Sequence, residues 1–348
     1  MKEIKLCLAG FGAVSKRFCS LLQKKEEALA SDFGVKVKIS GVCSPSRGAM
    51  IDANGLSIEQ LFQMENEYRH FDNSHPAYRN SDTLGMIGES GADVFVELTT
   101  LSIKDGEPAA GYITAAFAKG LHVITANKGP LACQYLRLRD AAAAAKRMFL
   151  YETIVMDGTP VFNMVEKTLH GNRILGIQGI LNGTSNFVLQ QIELGHSYDV
   201  AIREAQRIQL AEADPGMDVD GWDGAAKICA LANILMDANT TPKDVDRTSI
   251  RQIGIDDINL AQQAGCKIKY ICEAHRDENG VVKLSVKPKQ LPQNHTFCSV
   301  NGSSAAITFY TDLAGEISII QTNPGILQTA YGVYSDLLSI IKAVFIAT

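Results

Sequence analysis

Residues 225–235 limit what this chain can fold into. Ala225, Ala226, Ile228, Cys229, Ala230, Leu231, Ala232, Ile234 and Leu235 make a helix that is apolar on nearly every side, and such a helix has to be buried. Lys227 lies inside it, although lysine is almost never fully buried without a partner. Asp223 stands four residues earlier, on the same face. Just before the helix, five carboxylates fall within twelve residues: Glu212, Asp214, Asp218, Asp220 and Asp223. On a surface helix this would be ordinary, with Asp220 as N-cap and Asp223–Lys227 as an exposed pair worth about 0.3–0.5 kcal/mol. The apolar flanks point the other way. A cation and several carboxylates face a mostly dry site, the setting in which pKa values shift and protons are moved.

A buried helix needs layers around it. The 348 residues, 46% of them hydrophobic, supply these in two domains rather than one. Net charge is −5, pI is near 5.8 and no basic block is present, which argues against a nucleic-acid partner. Eight scattered cysteines form no CxxC pair and indicate a reducing cytoplasm rather than a disulfide framework. The seven histidines lack the spacing of a zinc site. No secretory leader is apparent, and no apolar run of membrane-spanning length.

The N-terminal half alternates. Ile4–Ala9 reads as a buried strand, followed by Gly10-Phe11-Gly12-Ala13-Val14-Ser15 and a helix to about Ala30. A second strand is expected at Val35–Val42. In this strand–turn–helix–strand setting the first glycine permits the tight turn. The second lets a pyrophosphate approach the helix N-terminus. Ser15 occupies the third position, where helix and strand pack closest. After strand two the chain reads Gly41-Val-Cys43-Ser44-Pro-Ser46-Arg47. The acid that usually takes the ribose 2′-OH of NAD is missing, and Arg47 with two serines suits a 2′-phosphate. The expected preference is NADP, with NAD as the second choice. Residues 49–90 read as a weak helix (Ser57–Glu67) and a polar insertion over the cofactor face.

Alternation then resumes. Strands are expected at Asp93–Leu98, Leu121–Thr125 and Met148–Glu152, and helices at Glu107–Lys119 and Leu131–Arg147, giving a doubly wound parallel sheet. Ligands bind beyond the carboxyl ends of such strands, where Thr99-Thr100 and Asn127-Lys128 fall. From about residue 152 the pattern changes. Gly158-Thr-Pro160 opens a helix, and Gly179–Asn186 is a polar turn whose backbone N–H groups suit a carboxylate. Residues 266–322 turn strand-rich with a turn at Asp277–Gly280, and an apolar helix is expected at Thr329–Ala347. The fold class is therefore an α/β Rossmann-type nucleotide domain (1–151 with 323–348) plus an α+β substrate and dimerisation domain (152–322).

Four segments, in order and at suitable spacing, carry a resemblance: Thr125-Ala-Asn127-Lys128, Tyr151–Pro160, Gly179–Asn186 and Glu212–Lys227. Together they resemble homoserine dehydrogenase over almost the whole chain. The stretch ending Gly-Trp-Asp-Gly-Ala-Ala-Lys227 is the most specific of them. The resemblance implies NAD(P)H-dependent, reversible reduction of aspartate 4-semialdehyde to homoserine in threonine and methionine biosynthesis. Lys128 and Lys227 resemble the two active-site lysines. Glu212 and Asp223 resemble the carboxylates that hold the substrate amino group, and Asp218 the acid that orders the site. Gly10, Phe11, Gly12, Ala13, Val14, Arg47, Thr99, Thr100, Lys128 and Gly325 are the expected cofactor contacts. A monovalent cation, Na or K, is implied near Glu152, Val155, Asp157 and Thr159, and a homodimer is implied through residues 290–322. Ser15, Ile154 and Asn323 depart from the family pattern. With the chain ending at Thr348, no regulatory ACT module is expected.

The chemistry agrees with the resemblance. Hydride arriving at an aldehyde carbon leaves an alkoxide that must take a proton, and a lysine ammonium steadied by Asp223 can stabilise the charge and donate. Two other readings compete. One is a non-catalytic nucleotide-binding paralogue, motivated by Ser15 and Asn323. The other is a dehydrogenase of a different small amino or hydroxy aldehyde.

Overall fold

A computed structural model describes residues 1–346. Two compact units divide the chain: residues 1–130, 136–163 and 325–348 form the first, and residues 131–135 and 164–324 the second.

The first unit is built on a sheet of seven strands: β1 (Lys2–Ala9), β2 (Val35–Ser44), β3 (Gly48–Ile51), β4 (Tyr78–Arg79), β5 (Val94–Glu97), β6 (His122–Thr125) and β7 (Phe149–Leu150). Their order is β4-β3-β2-β1-β5-β6-β7. Strands β2, β1, β5, β6 and β7 run parallel, and β3 and β4 extend the edge antiparallel. In β1, Leu6 and Leu8 point into one apolar cluster while Cys7 and Ala9 enter another on the opposite face. A strand covered on both faces has to be an unbroken apolar run, which is why Ile4–Ala9 reads as one.

Several details differ from the sequence reading. The first helix breaks at Lys25 into Ala13–Lys24 and Glu26–Phe33. Within residues 49–90 the expected helix is present, at Ile58–Tyr68 capped by Ser57, and the stretch read as a polar insertion adds β3, β4 and a helix Thr83–Glu89 capped by Asp82. Local caps, rather than long apolar periodicity, define these short elements. The strand expected at Met148–Glu152 shrinks to β7, because Thr153–Met156 turns helical. The last helix begins earlier than expected, at Ile326, and widens into a π turn at Ile341–Ile346. The residue Ala347 lies outside the described residues. By length and composition Ile326–Ile346 would span a membrane, but Ala330, Val333, Leu337, Ile340 and Ile341 belong to the unit's core.

The second unit holds a six-stranded sheet of β8 (Ile174–Ile180), β9 (Asp246–Arg247), β10 (Cys266–Arg276), β11 (Val282–Pro292), β12 (Ala305–Thr311) and β13 (Glu316–Gln321), in the order β13-β12-β8-β10-β11-β9. All pairs are antiparallel except β9 with β11. Helix Trp222–Met236 packs across β8, β10 and β11, with Ala225, Ala226, Ile228, Cys229, Ala230 and Leu231 fully buried. A side chain at Gly224 would press within 2.9 Å of the Cys272 thiol, so glycine is what lets helix and sheet meet here. The all-round apolar helix is thus the core of this unit.

Candidate active site

In the first unit the carboxyl ends of β1, β5 and β6 converge. Gly10 takes φ +90°, and a Cβ there would sit 2.4 Å from the Leu98 carbonyl, so only glycine fits the turn. At Gly12 a Cβ would meet nothing within 4 Å. Gly12 caps helix Ala13–Lys24 with no side-chain cap and no acid in the first turn, so the helix's first N–H groups are open toward an anion. This cradle fits a pyrophosphate. Phe11 is buried against Phe62 and Phe71, Val14 packs on the same core, and Ala13 is exposed. Ser15 is fully buried. Gly325 caps the last helix, and its neighbour Ile326 lines a cavity of about 390 Å³ together with Ala13 and Phe62.

Beneath Thr99 and Asn127 lies a residue the sequence reading passed over. Glu97, the last residue of β5, is fully buried. Its carboxylate accepts from the Thr99 amide at 2.8 Å, the Thr99 hydroxyl, and the Thr125 hydroxyl at 2.8 Å. Burial pushes its carboxyl up. Thr125 in turn accepts from the Asn127 amide. Asn127 donates to the carbonyls of Thr99 and Thr100 and caps the helix that begins at Lys128. Glu97 therefore fixes both strand-end loops that present Thr99, Thr100 and the half-buried Lys128. An acid closing the apolar run Val94-Phe-Val-Glu97 was the available signal, since buried carboxylates need partners.

At the end of β2 the Arg47 guanidinium is already engaged. Its Nη1 donates to the Ser46 hydroxyl at 3.0 Å and its Nη2 to Glu65 Oε1 at 3.0 Å. Glu65 also accepts from Lys16 Nζ at 2.8 Å through each oxygen. Glu65 comes from the helix Ile58–Tyr68, and nothing in its local sequence marks it.

The second unit assembles the acidic segment around one asparagine. Asn182 caps helix Gly183–Glu193 by accepting the Ser185 amide at 2.8 Å, and its Nδ2 donates to Asp218 at 2.6 Å and to Asp223 at 2.9 Å. Lys227 Nζ lies 3.1 Å from the Asp223 carboxylate and donates to the Leu181 carbonyl at 2.6 Å. Both side chains are largely buried, 17% and 13% exposed. Burial pushes the Asp218 carboxyl above its ordinary range, and the neighbouring Asp223 charge adds to the rise. Asp220 is not the helix cap. Gly221, at φ +79°, takes that place, because Asp220 is drawn away to Ser249 and in a two-pronged pair to Arg251. Glu212 is exposed, and its carboxylate makes no hydrogen bond or ion pair among the described residues. The structure thus brings together Asp218, Asp223 and Lys227 and leaves Glu212 apart.

In the first unit, the Glu152–Thr159 turn has committed carboxylates. Glu152 is buried and accepts the amides of Phe162 and Asn163, both at 2.8 Å, and burial pushes its carboxyl up. Asp157 accepts from the Thr329 hydroxyl at 2.6 Å. Its φ of +49° is a conformation that a non-glycine residue adopts at a cost of about 1–3 kcal/mol. Val155 is buried, and the Thr159 amide donates to the Met156 carbonyl. A cation here would rely on backbone carbonyls, a donor set that suits a large monovalent ion. No cluster of three or more His, Cys, Asp or Glu side chains fit for a metal occurs among the described residues. Of the departing residues, Ile154 is buried, and Asn323 takes φ +44° and exchanges hydrogen bonds with Ser304. Asparagine tolerates that left-handed position, so the loop keeps a backbone form that glycine would favour.

Comparison with known proteins gives one answer throughout. A family model described as homoserine dehydrogenase matches residues 160–338, and one described as its NAD binding domain matches residues 10–152. The NAD(+)-dependent homoserine dehydrogenase of Pseudomonas canavaninivorans is 34% identical over 340 residues, covering 98% of this chain and 97% of that relative. The homoserine dehydrogenase of Methanocaldococcus jannaschii is 35% identical over 339 residues, covering 97% and 98%. A crystal structure of homoserine dehydrogenase from Thiobacillus denitrificans matches with a TM-score of 0.83 at 27% identity, covering 98% of this chain and 74% of that one.

Proposed function

This chain belongs to the homoserine dehydrogenase family and is an NAD(P)-dependent oxidoreductase, and from that premise we infer how its two sites divide the work. The reaction is the reversible reduction of aspartate 4-semialdehyde to homoserine, a step toward threonine and methionine. The nicotinamide, when bound, supplies or accepts the hydride. Gly10, Phe11, Gly12, Ala13, Val14, Thr99, Thr100, Lys128 and Gly325 hold the cofactor. Arg47, with Lys16 beside it, accommodates the 2′-phosphate of NADP, while NAD is accepted as well.

The observation that carries the substrate site is the placement of Lys227 between Asp223 and the Leu181 carbonyl in a mostly dry setting. The Asp223 carboxylate, 3.1 Å from Nζ, steadies positive charge on this lysine. As the aldehyde carbon is reduced, the substrate oxygen becomes an alkoxide, and Lys227 stabilises that charge and transfers a proton to it. In the oxidative direction it takes the proton back. Asp218, Asp223 and Glu212 attract the substrate's α-amino cation, and Lys128 is the second active-site lysine. A monovalent cation rests on the backbone of Glu152, Val155, Asp157 and Thr159. The homodimer forms through the 290–322 region, where β13 lies at an edge of the second sheet with Ile320 exposed. Light scattering should give twice the chain mass, and a monomer at working concentration rejects this assembly.

The deciding experiment is absorbance of the reduced nicotinamide with homoserine and NADP, then NAD, at alkaline pH. Reduced cofactor should appear with the parent protein and vanish in Lys227→Ala, while cofactor binding stays largely intact. Near-normal activity in that variant rejects the mechanism. Equal turnover of the desamino analogue rejects the amino-acid assignment.

A further inference from the structure

We propose that Glu65 is a resident anion that reads the ribose of the cofactor. It accepts the 2′-hydroxyl of NAD and competes with the 2′-phosphate of NADP for Lys16 and Arg47. This rests on the reading, given above, that the cofactor's adenosine ribose reaches the end of β2. There a dinucleotide fold normally supplies an acid from the strand end. This chain has none at Ser44, yet an acid stands at the place, delivered by the helix Ile58–Tyr68 from outside the strand–turn–helix motif.

The geometry is specific. Both Glu65 oxygens are 2.8 Å from Lys16 Nζ, and Oε1 is 3.0 Å from Arg47 Nη2. The Glu65 side chain is only 12% exposed. Burial alone would raise its carboxyl, but the two cations outweigh it and hold the group below its ordinary value. Lys16 belongs to the helix that starts at the open Gly12, with its amide bonded to the Gly12 carbonyl. Arg47 is bonded through its carbonyl to the Phe71 amide at 2.9 Å, and Phe71 stacks 5.5 Å from Phe11. The acid-bearing helix is therefore fastened to the glycine turn itself.

The site also keeps room and bonding capacity for a ligand. A cavity of about 410 Å³ is lined by Lys16, Arg47, Glu65, Asn66 and Arg69. The buried Nε of Arg47 has no acceptor among the described residues. A neutral 2′-hydroxyl can donate to Glu65 without disturbing either cation. A 2′-phosphate, an acceptor bearing close to two negative charges, can reach Arg47 and Lys16 only against the Glu65 carboxylate. Glu65 must then yield those bonds or repel the phosphate. The cations thus admit NADP, and the acid sets how far it is favoured over NAD.

A purely structural role, in which Glu65 only fastens its helix to β2, would change both cofactors alike. The test is equilibrium binding of NAD, NADP and their adenosine fragments, AMP and adenosine 2′,5′-bisphosphate, to four proteins. These are the parent, Glu65→Gln, Glu65→Asp and Arg47→Gln. Glu65→Gln should tighten NADP and the bisphosphate about 10-fold, since the competing charge is gone, and weaken NAD a few-fold, since the amide oxygen still accepts but without charge. Glu65→Asp, which keeps the charge on a shorter arm, should fall between and keeps the test open if the glutamine variant folds poorly. Arg47→Gln should weaken NADP at least 10-fold. If Arg47→Gln weakens NADP while both Glu65 variants leave the NADP-to-NAD affinity ratio unchanged, the role of Glu65 is overturned and the ribose site stands. If Arg47→Gln also leaves the ratio unchanged, the ribose site itself is misplaced, and the proposal falls with it.

Discussion

Two small charge clusters, one in each unit, invert one another. In the first unit two cations, Lys16 and Arg47, close on one carboxylate, Glu65. In the second, two carboxylates, Asp218 and Asp223, share one asparagine, and one lysine pairs with Asp223. The first cluster is left with spare positive charge and the second with spare negative charge. Each excess is the complement of the ligand assigned to it, an anionic cofactor and an amino cation. The inversion extends to the environments of the carboxyls. The cations hold Glu65 below its ordinary value, whereas burial and a like charge push Asp218 above its own. A single ion pair tells little about function. The sign of what remains after pairing tells more.

The largest effect expected from this contrast is a crossed pair of defects. Lys227→Ala should lower kcat about 10²–10⁴-fold, the usual contribution of a positioned general acid, with the affinity for NADP close to that of the parent. Arg47→Gln should do the reverse, weakening NADP with kcat at saturating NAD preserved. Single-turnover kinetics alongside cofactor titration separate the two. A Lys227→Ala protein whose loss is entirely in cofactor affinity would mean that the clusters do not divide the work by ligand.

A smaller effect is expected at the neutral hinge of the second cluster. Asn182 is buried and bonds at once to Ser185, Asp218 and Asp223. Asn182→Ala removes the helix cap and leaves two neighbouring carboxylates without their shared donor, at about 1–3 kcal/mol for an unsatisfied buried group. The melting temperature should fall and the KM for homoserine rise about 10-fold, since charge-assisted bonds of this strength position the acids. An unchanged KM would make Asn182 a cap alone.

The two clusters differ as well in how far the sequence revealed them. Asp218, Asp223 and Lys227 lie within ten residues of one another, and the apolar helix around Lys227 forces the question of its partner. The Asp223–Lys227 pair was legible because helical spacing fixes it locally. Asn182 was visible only as part of a polar turn, since its bonds to Asp218 and Asp223 cross 36 and 41 residues. Lys16, Arg47 and Glu65 come from a helix, a strand end and a second helix. That second helix was read as a weak helix leading into a polar insertion, without a partner for its acid, and pairing across such distances has no periodic signature. Arg47 was therefore read as a cation awaiting a phosphate, without the acid already on it. The parallel sheet was legible through its strands, because those buried on both faces are continuous apolar runs. It was hidden at β3 and β4, which are only four and two residues long.

The smallest effects are in stability, and there the clusters should respond to pH with opposite signs. Glu65 has a lowered carboxyl in the folded state. Its contribution is present above the ordinary glutamate value and lost as pH falls through the lower, folded one. Glu65→Gln should therefore lower the melting temperature at pH 7, with the deficit shrinking in acid. Asp218 has a raised carboxyl. The folded state then binds its proton more readily than the unfolded chain does, so stability is present below the ordinary aspartate value and lost as pH rises through the raised one. Above that raised value Asp218 carries its charge in a place that penalises it. Asp218→Asn keeps an oxygen to accept from Asn182 and removes that penalty, so it should raise the melting temperature at pH 7 by about 2–4 °C, with the gain fading toward pH 4. Homoserine binding should weaken in the same variant, because the negative excess that draws the amino cation is reduced. Melts of both variants from pH 4 to pH 8 would show curves that approach the parent from opposite sides in acid. Two curves displaced to the same side would mean that Asp218, like Glu65, is stabilised by its neighbours.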